Sequence, residues 1–185
     1  MFSDAPLPAK FTSINAYLGA FPVADALARG ADVVITGRCV DSALTVAALI
    51  HRFGWQRTDF DRLAAGTLVG HILECSTQVT GGLYTDWWRV PGWDDMGYPV
   101  AECSADGSFV LSKPEGTGGL IVPTVAAEQM LYEVTDPANY LMPDVSCDFT
   151  AVTIDACGDN RVRIAGARGR APTPPFSPSS PTSPR

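Results

Sequence analysis

The run Asp32-Val33-Val34-Ile35-Thr36 constrains this chain more than any other segment. Four of its five residues are β-branched and apolar character does not alternate, the pattern of a strand buried on both faces. Gly37-Arg38-Cys39-Val40 follows as a turn, and Asp41 or Ser42 is placed to cap a helix over Ala43 to Phe53. Strand, short turn and capped helix in that order form the grammar of a βαβ unit. The preceding residues agree, with Phe11 to Ala16 as a strand and Leu18-Gly19 as a turn. Phe21 to Arg29 then has helical spacing, with Gly30 as its stop. The expected fold is therefore α/β, with a mostly parallel Rossmann-like sheet and flanking helices.

Further along, a helix is expected from about Phe60 to Cys75, followed by the glycine-bearing loop Thr77 to Gly82 and an irregular stretch holding Trp87, Trp88 and Trp93. The second half reads as β-hairpins. Val100 to Cys103 and Phe109 to Ser112 flank Ala105-Asp106-Gly107, where Asp-Gly supplies positive φ at low cost. Phe149 to Ile154 and Arg161 to Ile164 flank Gly158-Asp159-Asn160, and Val122 to Val134 reads as a helix with Pro123 in its first turn. Residues 1–12 are expected to be irregular. From Ala171 to Arg185 six prolines alternate with Ser and Thr, a composition that cannot build a packed core and predicts a disordered tail.

A formal net charge of -7, with basic residues scattered, argues against a nucleic-acid partner, which needs clustered Lys and Arg. No stretch approaches the roughly 20 apolar residues of a membrane span, so no membrane partner is expected. The five cysteines are widely spaced, odd in number and without a C-x-x-C pair, which fits reduced thiols and a cytoplasmic location.

Three places carry candidate chemistry. Gly116, Gly118 and Gly119 are expected to open a helix with backbone N–H groups turned to an anion, and Lys113 stands close enough to add charge. The pattern is neither a P-loop nor G-x-G-x-x-G, and a plain turn explains the glycines as well. Gly37 and Arg38 lie at the carboxyl end of a strand, where open α/β sheets gather ligands. Arg38 there suits a carboxylate or phosphate, and Asp41 suits an acid/base partner or a helix cap. His71, Glu74 and Cys75 share one helix face at i, i+3 and i+4. His71 with Glu74 suits a general base and its orienting carboxylate, and core packing suits His71 too. The set is incomplete for a metal, and none is expected, the only other histidine being His51.

Several collinear blocks resemble the acyclic terpene utilization protein AtuA family. They are Asn15 to Gly19, Ala31 to Arg38, Ala64 to His71, Glu74-Cys75, Gln78 to Gly82, Lys113 to Gly119, Leu131 to Val134 and Arg161 to Arg170. The resemblance implies catabolism of acyclic terpenoids such as citronellol and geraniol through CoA thioesters, but no agreed catalytic set. It also implies a longer protein, so that residues 13–170 are expected to be an incomplete α/β domain. The expected function is a hydratase- or lyase-like step on a carboxylate or CoA-linked substrate, with no cofactor specified beyond that thioester. The alternatives are a non-catalytic binding or assembly subunit, as a homo-oligomer or beside a pathway partner, and a non-functional gene fragment. The catalytic reading expects the three places to converge on one cleft. The subunit reading expects glycines serving turns only, a histidine without polar company, and exposed tryptophans.

Overall fold

The computed structural model describes residues 10, 12–13 and 15–173. Most of the expected irregular N-terminus, and the Pro/Ser tail beyond residue 173, lie outside those residues. The strand expected over Phe11 to Ala16 lies partly outside them, and its described residues form no strand.

Four helices follow the expected positions closely: α1 (Phe21–Ala28), α2 (Ala43–Phe53), α3 (Phe60–Glu74) and α4 (Pro123–Leu131). Pro22 and Pro123 occupy first-turn positions, where a missing N–H costs nothing. The α3 helix shows no single apolar stripe, because nearly every residue from Leu63 to Ile72 is buried. A helix apolar all round belongs at the centre of a fold, and α3 lies there, in contact with α2, α4 and both sheets. Leu63, Leu68 and Ile72 are fully buried, each contributing about 1.5–3 kcal/mol of apolar burial. Thr67 satisfies its buried hydroxyl by donating to the Leu63 carbonyl at 2.9 Å.

The strands are β1 (Val100–Cys103), β2 (Phe109–Ser112), β3 (Tyr140–Leu141), β4 (Ser146–Asp148), β5 (Thr153–Gly158), β6 (Arg161–Ala165) and β7 (Arg168–Arg170). They form a four-stranded sheet in the order β1-β2-β6-β5 and a three-stranded sheet in the order β3-β4-β7. Both expected hairpins are present, β1 with β2 and β5 with β6, but β5 begins at Thr153 rather than Phe149 and runs on through Gly158, so residues 149–152 lie outside it. Phe109, Leu111, Val162 and Ile164 from the first sheet and Val145, Cys147 and Phe149 around β4 join the helices in one core.

The sheet type departs from the expectation. Every ladder among the described residues is antiparallel, so the fold is mixed α/β without a parallel Rossmann-like sheet. Among the described residues parallel pairing survives only as isolated bridges, Leu18 with Cys39 and Met96 with Gly118. Asp32 to Thr36 forms no strand; Val34 packs against the core, while Val33 is 79% and Ile35 94% exposed. A β-branched run reports that a segment suits two covered faces, and it cannot report whether neighbours are there to cover them.

Candidate active site

The close crossing of α2 and α3 builds the site. A Cβ placed on Gly70 would stand 2.7 Å from the Cα and Cβ of Ser42, so only glycine lets the start of α2 press against α3 here. That approach sets Asp41, just before Ser42, beside His71, just after Gly70. The expected cap is not made: neither Asp41 nor Ser42 gives α2 a side-chain cap hydrogen bond. Val40 instead closes the turn through its carbonyl, which accepts from Ala43 N at 2.8 Å. The Asp41 carboxylate is left exposed at a cleft of about 170 Å³ lined by Tyr17, Asp41, His71, Glu74, Glu133 and Tyr140, with Ser42 and two apolar side chains completing it.

His71 is fixed from behind. Its Nε2 lies 3.0 Å from the backbone carbonyl of Gln129 on α4, and because a carbonyl only accepts, Nε2 carries the hydrogen. In the neutral ring the lone pair then sits on Nδ1. Burial pushes the His71 pKa below its ordinary value, outweighing the opposing pull of the Gln129 carbonyl and of Glu74, Met130 and Glu133. The ring stands at 6.1 Å from that of Tyr140, which in turn packs on Phe149 at 5.9 Å. Burial also raises the Tyr140 pKa, and Cys147, Asp41, Glu133 and Glu74 push it the same way. Tyr140 is therefore a neutral O–H donor at ordinary pH.

Glu74 is exposed and accepts the S–H of Cys75 at 2.9 Å. Burial first, then Glu74, push the Cys75 thiol up to about 11, so it stays protonated and anchors the carboxylate. Behind them Gln129 is 1% exposed; its side-chain amide makes no well-formed hydrogen bond among the described residues, though it lies close enough to the Cys75 thiol to pull that thiol's pKa down against burial and Glu74.

The family model described as "Acyclic terpene utilisation family protein AtuA" matches residues 3–178. This chain belongs to the AtuA family. No curated protein and no solved structure matches it.

In this AtuA-family chain the candidate residues separate into two places. Asp41, His71 and Glu74 meet in the cleft. Arg38 stands just behind its rim, donating from Nη2 to the Tyr17 hydroxyl at 2.7 Å, and Gly37 is exposed with open space where a Cβ would be. Lys113, Gly116, Gly118 and Gly119 do not line the cleft. Their loop does not open a helix, since α4 starts only at Pro123. Lys113 Nζ donates to the Thr117 carbonyl at 2.6 Å, Gly118 N to Asp95 O and Gly119 N to Pro91 O, each at 2.7 Å. Gly118 also lies so close to Gly92 that a Cβ would overlap the Gly92 carbonyl. These groups tie the loop to the irregular 91–97 segment.

Tyr17, Glu133 and Tyr140 were not singled out by the sequence. Glu133 owes its place to a backbone φ of 59° just beyond α4, and Tyr140 to a two-residue strand, features too small to leave a pattern. No group of three or more His, Cys, Asp or Glu side chains among the described residues is arranged to hold a metal, and no helix among them is long and apolar enough to cross a membrane.

Proposed function

We propose that this AtuA-family chain carries out an acid–base step in the breakdown of acyclic terpenoids of the citronellol and geraniol type. The step adds water to, or removes it from, a carboxylate or CoA-linked intermediate, as a hydratase or lyase does. One observation carries the reading: an uncharged histidine with a fixed tautomer shares a cleft with Asp41, Glu74 and Tyr140. In the hydration direction Nδ1 of His71 takes a proton from water as its oxygen joins the β-carbon of a conjugated acyl group. The α-carbon receives a proton in return, from the imidazolium or from the Tyr140 hydroxyl. Asp41 and Glu74 stabilise the imidazolium while it exists. General acid–base catalysis of this kind contributes about 10²–10⁴-fold in rate. Gly37 and Arg38 would receive the anionic part of the substrate outside the cleft. The Lys113–Gly119 loop lends the reading no support, because its groups already serve backbone carbonyls.

A second reading, a binding or assembly subunit of the same pathway, is favoured by a different observation. Trp87, Trp88 and Trp93 are all exposed, the kind of aromatic surface that protein interfaces use. His71→Gln separates the two when growth on citronellol is followed beside circular dichroism. Lost growth with an intact fold supports acid–base chemistry; undiminished growth supports the subunit.

A further inference from the structure

Building on the acid–base reading of the cleft, we infer that it admits the reacting end of its substrate as an uncharged oxygen function, an ester-type carbonyl or a hydroxyl, and turns away a free carboxylate. The charged side chains lining the cleft are all carboxylates, Asp41, Glu74 and Glu133, with no Lys or Arg among its lining residues. Arg38 is not among the lining residues and is held against Tyr17, its guanidinium carbon 4.5 Å from that ring centroid, where its charge also acts on Asp41 and offsets part of that carboxylate's field. His71 adds no charge while it is neutral. The three carboxylates act on one place, since all of them push the Tyr140 hydroxyl toward its protonated form.

Each carboxylate is exposed, so solvent and salt weaken its field. Even so, three charges at about 8 Å in a water-like dielectric together weaken carboxylate binding by about tenfold at low ionic strength. An uncharged carbonyl escapes that repulsion and can accept from the Tyr140 hydroxyl, and an alcohol can also donate to the carboxylates. The volume of about 170 Å³ lies below the several hundred Å³ of whole-ligand pockets, so only the head of a substrate enters. A thioester-linked tail, with its own negative charges, then stays outside.

The test measures binding to the whole chain by calorimetry, with His71 imidazole NMR signals as the reporter of place. Citronellate, its methyl ester and citronellol serve as probes on one carbon skeleton. At low salt the ester and the alcohol should bind about tenfold more tightly than the acid. The gap should narrow at 0.5 M salt, and Glu133→Gln should strengthen citronellate binding a few-fold. Citronellate binding as tightly as its ester at low salt would overturn the inference and leave the acid–base reading standing. A preference indifferent to salt and to Glu133→Gln would overturn it too, by assigning the difference to hydrophobicity. Failure of all three probes to move the His71 signals would overturn the inference together with the reading beneath it.

Discussion

The two ends of α4 meet the two features that look most like sites in the sequence, and the fold treats them in opposite ways. Near its start, the Lys113–Gly119 loop spends its ammonium and two of its amides on the carbonyls of Thr117, Asp95 and Pro91. Near its end, the Gln129 carbonyl takes one nitrogen of His71 and leaves the other uncommitted, while Asp41 gives up a helix cap and Glu74 stays exposed. Polar groups already satisfied by their own backbone hold a structure together; those left over at a cleft are free for a ligand. Glycine spacing carries no information on which of these will happen.

The contrast gives predictions that can be ranked. The largest effect is expected in turnover of a conjugated acyclic acyl thioester, followed by loss of its absorbance. His71→Gln should slow it by about 10²–10⁴-fold, while Lys113→Met should leave it within about twofold; equal losses would put the two ends of α4 on the same footing. Next comes Gly70→Ala, whose methyl must displace Ser42. It should cost about 1–3 kcal/mol in urea unfolding, whereas Gly37→Ala, facing open space, should stay within about 0.5 kcal/mol.

A smaller effect, with the opposite sign, is expected at Gln129. Replacing its amide, which makes no well-formed hydrogen bond and meets the weakly polar Cys75 thiol, by Leu should stabilise the protein by about 1 kcal/mol, read as a higher urea midpoint. A destabilised variant would mean that the amide has a partner.

The smallest effect concerns pH. The folded pKa of His71 is lowered by burial, so between that value and the unfolded value near 6.5 the unfolded chain binds more protons. The contribution is therefore present above pH 6.5 and lost as pH falls through the folded pKa, at no more than about 1.4 kcal/mol per pH unit. His71→Gln should remove that slope, measured as the difference in unfolding free energy across this range.

Much of the helical layer was legible in the sequence. Apolar spacing located the helices, with Gly30 as a stop and Pro123 in a first turn, although the cap expected before the second helix is not made, and Asp-Gly located one hairpin. Three of the cleft residues were also legible, because i, i+3 spacing places His71 and Glu74 on one face and the turn before α2 brings up Asp41. The antiparallel sheet type was not, because residues 32–36 carry the composition of a covered parallel strand while what covers a strand is decided elsewhere. Nor was the fate of Gly118 and Gly119, whose partners Asp95 and Pro91 lie more than twenty residues upstream in a segment without periodicity. Tyr140 entered the cleft through the pairing of β3 with β4, a contact of two residues.

Acid–base chemistry in the cleft turns on an uncharged His71 with its hydrogen on Nε2, and ¹⁵N imidazole NMR across a pH titration tests that most directly, with His51 the only other histidine to assign. His71 is expected to show a lone pair on Nδ1 at neutral pH and a midpoint below 6.5, the buried, carbonyl-bound state this chemistry needs. A hydrogen on Nδ1, or a midpoint above 6.5, would contradict it.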